Sequence, residues 1–223
     1  MKKQLINDKI TILCNGVFPT DSRALEEMNK GNFLLCCDGG ANHAKKNGYT
    51  PDLIIGDMDS LSNPNEFGDR VLKIENQNCN DLSKAIFWAQ NNRCKEATIL
   101  GAAGKRDDHT ISNVFLLLDM KIIIRVRMIT DFGEFIVLDS RDIKAENSIY
   151  SRMFSSYRGQ QISIFCTDDS ISLTSKGLKY EINDTKSKNL YQLSLNESIS
   201  DSFSIGVDSN NSKVIVYKAF KTE

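Results

Sequence analysis

The fold is decided by the stretch Phe33-Leu34-Leu35-Cys36-Cys37-Asp38-Gly39-Gly40-Ala41-Asn42, in which an apolar run ends in an acid and a glycine pair. A continuous apolar run of this length is typical of a parallel strand that is buried on both faces. The glycine pair permits a tight turn, and we interpret Ala41–Asn47 beyond it as a helix. The stretch therefore predicts a strand that leads into a helix, which is the repeating unit of a parallel α/β sheet.

The same alternation of short apolar runs and amphipathic stretches extends from Ile10 to about Leu138. Several amphipathic stretches begin at or near Asp or Asn, whose side chains accept hydrogen bonds from the free N–H groups of a first helical turn. The predicted strands are Ile10–Cys14, Phe33–Cys37, Leu53–Ile55, Val71–Ile74, Ala97–Leu100 and Ile122–Ile129. The predicted helices are Asp21–Lys30, Ala41–Asn47, Asp81–Asn92 and Asp108–Met120. We expect an N-terminal parallel-sheet α/β domain over residues 1–140.

The pattern changes after about Ser140, where helical periodicity fades and serine, asparagine and β-branched residues become common. Turn signals such as Lys176-Gly177 separate short apolar runs, which is typical of antiparallel strands. The predicted strands are Gln161–Cys166, Ser170–Thr174, Leu178–Ile182, Ser202–Val207 and Lys213–Tyr217. We therefore expect a C-terminal antiparallel β domain over residues 141–223, and the length of 223 residues accommodates both domains.

Composition and charge exclude several classes of partner. Lys and Arg number 28 against 29 Asp and Glu, so the net charge of −1 provides no global field that would attract nucleic acid or an anionic membrane. No apolar run approaches the roughly 20 residues of a membrane span, and the start of the chain does not resemble a signal peptide. The six cysteines form no C-x-x-C pair. We expect buried thiols in a reducing compartment, and therefore a cytoplasmic protein without nucleic-acid or membrane partners.

Acidic residues follow the ends of four predicted strands. They are Asp38 after the second strand, Asp57 and Asp59 after the third, Asp81 after the fourth, and Asp107 and Asp108 after the fifth. Open parallel sheets bind ligands at the edge where the carboxyl ends of the strands meet, so these carboxylates are expected to converge there. Carboxylates at close range repel one another unless a cation joins them, and Mg²⁺ prefers oxygen ligands. The pattern favours a Mg²⁺ site.

The same loops carry glycine and positive charge. Gly39-Gly40 and Gly101–Gly104 let backbone N–H groups approach phosphate oxygens, and Lys105 and Arg106 add cations beside them. Together with the acids, they indicate a metal-bridged polyphosphate. Each signal alone has a structural alternative, since the glycine pair can be a tight turn and Asp81 a helix N-cap. The spacing of a P-loop is absent, which disfavours a Walker-type NTPase.

Four motifs follow one another along the chain. They are Cys37-Asp38-Gly39-Gly40-Ala41-Asn42, Pro51-Asp52-Leu53-Ile54-Ile55-Gly56-Asp57-Met58-Asp59-Ser60, Asn80-Asp81-Leu82-Ser83-Lys84-Ala85, and Gly101–His109 with Asn113. In order and spacing they resemble the motifs of the thiamine pyrophosphokinase family, and Ser175–Tyr180 resembles the strand through which that family contacts thiamine. The resemblance implies an α/β nucleotide-binding domain followed by a β-sandwich, in a homodimer with the active site at the subunit interface.

The resemblance also implies an activity, namely transfer of pyrophosphate from the co-substrate ATP to the hydroxyl of thiamine, with Mg²⁺, giving thiamine diphosphate and AMP. The implied catalytic residues are Asp57, Asp59, Asp81 and Asp108, of which Asp57, Asp59 and Asp81 are the implied metal ligands. The implied ATP-binding residues are Asp38, Gly39, Gly40, Asn42, Gly104, Lys105, Arg106, His109 and Asn113. The implied thiamine-binding residues are Asp81, Ser175, Tyr180 and Asn196.

Three residues depart from the family pattern, namely Asn78, Asn80 and Asp107. The first two leave the ligand set around Asp81 open, and the third leaves open whether Asp107 shares the role of the following aspartate. His43, which directly follows the last residue of the first motif, Asn42, is expected to be a surface or helix-packing histidine.

Other functions are weighed against this one. A diphosphokinase for another alcohol, such as a hydroxymethylpterin, would share the nucleotide half, but Tyr180 and the β domain favour thiamine. A non-catalytic nucleotide- or thiamine-binding module would not need the intact set of aspartates. A phosphatase with Asp57 as nucleophile is disfavoured, because Leu61 stands where the motif D-x-D-x-[TV] requires Thr or Val.

Overall fold

The structure is a computed structural model that describes residues 8–221. The chain divides into two compact units, one of residues up to Asp131 and one from Phe132 onward. No helix within residues 8–221 is both long and apolar enough to cross a membrane.

The first unit is a parallel β-sheet with α-helices between its strands. Its strands are β1 (Lys9–Leu13), β2 (Phe33–Cys37), β3 (Leu53–Gly56), β4 (Val71–Lys73), β5 (Glu96–Leu100) and β6 (Arg125–Ile129). Its helices are α1 (Ser22–Asn29), α2 (Gly40–Lys46), α3 (Asp81–Asn91) and α4 (Asp107–Leu116), with a 3₁₀ segment at Pro64–Arg70. The strands run parallel in the order β6-β5-β1-β2-β3-β4. The predicted parallel α/β architecture is confirmed.

The local sequence explains these elements. Strands β1, β2, β3 and β5 bury every residue after the first, as expected of strands covered on both faces. The carboxylate of Asp21 caps α1 by accepting a hydrogen bond from the N–H of Arg23 at 2.9 Å. The side chain of Asn80 caps α3 by accepting from the N–H of Ser83 at 2.9 Å. These side chains satisfy N–H groups that a first helical turn leaves free.

Helix α4 is shorter than predicted, and so is β6. The helix ends at Leu116 rather than Met120, and the strand begins at Arg125 rather than Ile122. The N–H groups of Leu118 and Ile122 bond to carbonyls three residues back, so the chain turns tightly between the two elements. Apolar residues in this connection continue the hydrophobic pattern without continuing the helix or the strand.

The second unit is a β-sandwich. Its strands are β7 (Gly133–Asp139), β8 (Tyr150–Ser155), β9 (Gln161–Phe165), β10 (Ser172–Lys176), β11 (Thr185–Lys186), β12 (Asn196–Glu197), β13 (Ser202–Val207) and β14 (Lys213–Ala219). Antiparallel pairing gives the orders β12-β9-β14-β7 and β11-β10-β13-β8. One core joins residues of both groups of strands, among them Leu138, Ile164, Leu173 and Phe203. The predicted β-sandwich is confirmed.

The predicted strand Leu178–Ile182 is not a strand. Leu178 and Ile182 are both buried, but the segment between them turns back toward β10. The N–H of Ile182 donates to Ser175 Oγ at 2.8 Å, and the N–H of Ser175 donates to the carbonyl of Ile182 at 2.9 Å. The alternating apolar residues are therefore anchors of a turn rather than one face of a strand.

Strands β7 and β8 were not predicted. β8 fully buries only Phe154, so it carries no apolar pattern. β7 has an apolar pattern that was assigned to the first domain, but it pairs along its whole length with β14, from Gly133 opposite Ala219 to Asp139 opposite Lys213. The division between the units consequently falls at Asp131, before the expected boundary at residue 140.

Candidate active site

The strand order of the first unit reverses at one place. From β1 the sheet adds β2, β3 and β4 on one side, and β5 and β6 on the other. The carboxyl ends of β1 and β5 meet at this place, where open parallel sheets bind ligands. The loops that leave the two strands are joined there, because the N–H of Gly16 donates to the carbonyl of Gly101 at 2.7 Å and the N–H of Val17 to the carbonyl of Ala103 at 2.9 Å. A cavity of about 480 Å³ lies there, and residues that follow β1, β2, β3, β4 and β5 line it.

Asp38 lies at the end of β2 on the floor of this cavity, and only 2% of it is exposed. Its backbone adopts the left-handed region with a φ of 41°, a conformation that costs energy outside glycine. One carboxylate oxygen accepts from the N–H of Ser60 at 3.0 Å, while the other is buried and has no hydrogen-bond partner. Burial raises the pKa of Asp38 to about 6, and the neighbouring Asp59 and Asp81 add to the rise.

Asp57 and Asp81 complete a cluster with Asp38, since one carboxylate oxygen from each lies within 4.8 Å of the others. Gly56 makes this approach possible, because a Cβ there would lie 2.8 Å from the Cβ of Asp38 and 3.2 Å from Oδ2 of Asp81. Asp57 accepts a hydrogen bond from Gln77 Nε2 at 3.1 Å, and this bond is the main reason that its pKa is lowered.

Asp81 is the first residue of α3, where the helix dipole favours a carboxylate. It accepts a hydrogen bond from Lys84 Nζ at 2.9 Å, and the side chain of this lysine is only 4% exposed. Burial lowers the pKa of Lys84, but the hydrogen bond from Lys84 to Asp81 and the charge of Asp57 outweigh it and leave the pKa raised. Lys84 thus compensates part of the negative charge of the cluster.

The cluster fits a hard divalent cation. Asp38, Asp57 and Asp81 present oxygen donors, and the unpartnered Asp38 oxygen is a buried acceptor that a cation would satisfy. Asp59, which was predicted as a ligand beside Asp57 and Asp81, lines the same cavity, and its carboxylate accepts from Ser60 Oγ at 2.8 Å. The geometry thus adds Asp38 to the candidate ligands, while the role of Asp59 as a ligand stays a prediction.

The cavity is also lined by the predicted nucleotide-binding residues Lys105, Arg106, His109 and Asn113. Arg106 pairs with the exposed Asp108 at 2.6 Å, and this hydrogen bond lowers the pKa of Asp108 to about 2. Asn113 is buried, where it donates to the carbonyl of Ala102 at 2.9 Å and accepts from Asn80 Nδ2 at 3.0 Å. It therefore connects α4 to the cap of α3 and to the loop after β5.

Several predicted nucleotide-binding residues lie outside the cavity lining, namely Gly39, Gly40, Asn42 and Gly104, and so does the predicted catalytic Asp108. The side-chain amide of Asn42 binds the loop after β3. It donates to the carbonyl of Ser60 at 2.8 Å and accepts from the N–H of Ser62 at 3.2 Å. This contact fastens α2 to the loop that carries Asp57 and Asp59.

The predicted thiamine-binding residues of the second unit lie around one turn. The N–H of Tyr180 donates to Asn196 Oδ1 at 3.1 Å, and Asn196 Nδ2 donates to the carbonyl of Tyr180 at 2.7 Å. Tyr180 is 64% exposed, whereas Asn196 and Ser175 are buried. Ser175 accepts from the N–H of Ile182 at the base of the same turn. The turn thus presents an aromatic ring on a backbone that two side chains fix.

Two family models match the chain. The catalytic domain of thiamin pyrophosphokinase matches residues 24–128, and the substrate-binding domain of thiamin pyrophosphokinase matches residues 147–217. The chain belongs to the thiamin pyrophosphokinase family. The first match contains the carboxylate cluster, and the second contains the turn that carries Tyr180.

Individual members of this family are similar in sequence or in fold. Thiamine pyrophosphokinase 1 of Arabidopsis thaliana is 30% identical over 133 residues, 48% of this chain and 49% of the relative, so the match spans about half the length of that protein. The fold is similar to that of thiamine pyrophosphokinase from Bacillus subtilis, with a TM-score of 0.76 and 19% identity over 96% of this chain and 100% of that chain. The fold is also similar to that of thiamin pyrophosphokinase from Candida albicans, with a TM-score of 0.75 and 19% identity over 96% of this chain and 90% of that chain. At these identities the two structures support the fold.

Among the cavity residues of this family member that the predicted site does not include are Asn15, Gln77 and Lys84. The spacing of Lys84 could have indicated its place in the site, because a residue three positions after Asp81 on a helix lies on the same face. Asn15 directly follows the first predicted strand, so it also lies at the ligand-binding edge of the sheet. Gln77 lies in an irregular connection, and no periodicity in the sequence points to it.

Proposed function

We propose that the protein is a thiamine diphosphokinase that transfers a pyrophosphoryl group from ATP to the hydroxyl of thiamine, giving thiamine diphosphate and AMP. The observation that carries this proposal is the carboxylate cluster of Asp38, Asp57 and Asp81 at a cavity within the region that matches the family's catalytic domain. A cavity lined both by acids and by Lys105 and Arg106 suits a polyphosphate that carries a cation.

We propose Mg²⁺ as the cation, held by Asp38, Asp57 and Asp81, with Asp59 as a further oxygen donor. When bound, Mg²⁺ would neutralise charge on the phosphates. Lys105 and Arg106 would bind phosphate oxygens, and His109 and Asn113 would hold the rest of the nucleotide. Because phosphoryl transfer depends mainly on positioning and charge, these residues need no strong base among them.

Thiamine would contact the second unit through Tyr180. Its exposed ring offers a face to an aromatic or cationic ring, and Asn196 fixes the backbone that carries it. Ser175 would act on the same contact by holding the base of the turn. A homodimer with the active site at the subunit interface, and a cytoplasmic location, belong to the same proposal. The free cysteines of the described chain fit a reducing compartment.

Incubation of the protein with ATP, Mg²⁺ and thiamine tests the activity. We expect AMP and thiamine diphosphate in equal amounts, and no AMP when thiamine is omitted. ADP as the main nucleotide product would contradict the proposal. A hydroxymethylpterin offered in place of thiamine separates the two diphosphokinase candidates, and a phospho-aspartate at Asp57 in a mass spectrum would instead indicate a phosphatase.

A further inference from the structure

Lys105 lies on the wall of the cavity and is held by two neutral side chains. Its ammonium donates to Asn15 Oδ1 at 3.0 Å and lies 3.0 Å from His43 Nε2. Among the residues that the structure describes, no carboxylate pairs with it. A lysine whose neighbours are neutral acceptors keeps its full positive charge available for an anion in the cavity.

The contact between Lys105 and His43 determines the state of the histidine. A lysine ammonium has three donors and no acceptor, so His43 Nε2 must accept, which requires a neutral ring that carries its proton on Nδ1. Partial burial and the charges of Lys105 and Lys46 lower the pKa of His43, in agreement with a neutral ring at pH 7. This role differs from the expected one of a surface or helix-packing histidine.

The two acceptors are themselves held in place. His43 lies in α2, and Asn15 follows β1. Gly39, which precedes α2, leaves room for the amide, because a Cβ at this position would lie 2.5 Å from Asn15 Nδ2. Asn15 in the loop after β1 and His43 in α2 therefore bind the ammonium of Lys105 at a fixed position.

We propose that His43 is a positioning residue, whose neutral ring holds the Lys105 ammonium at the cavity for a phosphate of the bound nucleoside triphosphate. The inference rests on the proposed function for the identity of the ligand. It does not rest on turnover, because the contact would act in nucleotide binding. His43 would not touch the nucleotide itself, and its effect would pass entirely through Lys105.

A consequence is that protonation of His43 opposes nucleotide binding. A protonated ring can no longer accept from Lys105, and the two like charges repel. Among the described residues, the charges that act on the ring are those of Lys105, which contacts it, and of Lys46 on its own helix, while the neighbouring Lys45 is paired with Glu66. Nothing in this set of groups would stabilise a second positive charge.

A double-mutant cycle tests the proposal. Binding of an ATP analogue with a methylene bridge between its α- and β-phosphorus atoms is measured by calorimetry with Mg²⁺ present, for the wild type, His43→Leu, Lys105→Met and the double variant. We expect Lys105→Met to weaken binding about tenfold and His43→Leu about threefold to fivefold, both within the range of a typical intramolecular hydrogen bond. In the Lys105→Met background, His43→Leu should have no further effect. Equal effects of His43→Leu in both backgrounds would overturn the proposal.

Further variants separate positioning from a general structural role. His43→Gln keeps an acceptor and should restore nearly full affinity, and Lys46→Met, which removes a like charge from the same helix, should leave affinity within about twofold. As the pH falls from 8 to 5.5, the wild type should lose affinity more steeply than His43→Gln. Equal steepness in the two would contradict the role of the ring.

The binding assay also keeps this inference separate from the proposed activity. A protein that binds the analogue but makes no AMP from ATP and thiamine would fail as a thiamine diphosphokinase, while the cycle would still decide whether His43 acts through Lys105. A protein that makes AMP but shows no coupling in the cycle would retain the activity and lose the inference.

Discussion

Two buried carboxylates of the first unit face opposite surroundings. Glu27 on α1 is 7% exposed, and Lys30 and Arg127 each place a nitrogen 2.5 Å from its Oε1. Burial raises the pKa of Glu27, but the two cations outweigh this effect and leave it lowered. Asp38 is 2% exposed and faces other acids, so its pKa is raised to about 6.

The difference separates a carboxylate whose charge is compensated within the chain from one that lies among other acids. The charge of Glu27 is compensated within the chain, and Arg127 also donates to Thr98 Oγ1, so the network attaches α1 to β5 and β6. Asp38 meets the same cost of burial without a cation of its own. A cation bound from solution would supply for Asp38 what Lys30 and Arg127 supply for Glu27.

The largest effect is expected from Asp57→Asn, which removes one charge from the cluster. We expect turnover to fall by about 10³-fold or more, because charge stabilisation at a phosphoryl-transfer site contributes about 4 kcal/mol. Affinity for the ATP analogue should fall by less than about tenfold, measured by calorimetry. Asp69→Asn, which changes an exposed acid in the Pro64–Arg70 segment, is the matched control. Equal losses of turnover and affinity would favour a binding module over an enzyme.

The next largest effect is expected from Glu27→Ala, which removes the carboxylate that Arg127 and Lys30 both contact. We expect the free energy of unfolding to fall by about 2 kcal/mol, less than for a fully buried pair because both cations are partly exposed. Urea unfolding followed by circular dichroism measures it, and the neighbouring exposed Glu26→Ala should change it by less than about 0.5 kcal/mol. A similar loss in both variants would show that the network has no special part in the stability of the unit.

Asp38→Asn should raise the free energy of unfolding, whereas Glu27→Ala should lower it. Without divalent cations, we expect the variant to be about 1 kcal/mol more stable than the wild type at pH 7, because it removes a charge whose pKa is raised. Added Mg²⁺ should raise the melting temperature of the wild type and much less that of the variant. If the variant is less stable than the wild type in the presence of a chelator, the claim that the charge of Asp38 destabilises the cation-free protein is wrong.

Much of the fold of the first unit could be predicted from the sequence, because its buried parallel strands are continuous apolar runs. The position of Asp38 after the run Phe33–Cys37 was sufficient to place it at the ligand-binding edge. The contrast between Asp38 and Glu27 was not predictable, since it depends on which side chains of remote strands reach each carboxylate. Arg127 is a hundred residues from Glu27 in the chain, and no local pattern connects them.

The second unit was less predictable for a related reason. β8 exposes most of its side chains, so its strand conformation follows from pairing with β13 rather than from an apolar pattern. Leu178 and Ile182 have the spacing of a strand face, but the hydrogen bonds of Ser175 fold them into a turn. Short exposed strands and anchored turns are decided by tertiary contacts that the local sequence does not contain.

The smallest effect concerns pH. Because the pKa of Glu27 is lowered in the folded state, its contribution to stability is present above its unfolded-state pKa and is lost as the pH falls through the folded-state value. The difference in unfolding free energy between the wild type and Glu27→Gln should therefore narrow by about 0.5–1 kcal/mol between pH 7 and pH 3. Urea titrations at both values measure it, and a difference that widens in acid would contradict the sign.

The central place of β1 has a consequence for how the chain folds during synthesis. β1 pairs with β2, which follows it closely, and also with β5, which is translated only after β2, β3, β4 and three helices. Until β5 emerges, one edge of the apolar strand Lys9–Leu13 has no partner, and an open edge of this kind invites pairing with another chain. The central strand of the first unit is therefore also a segment that is open to aggregation on the ribosome until β5 is made.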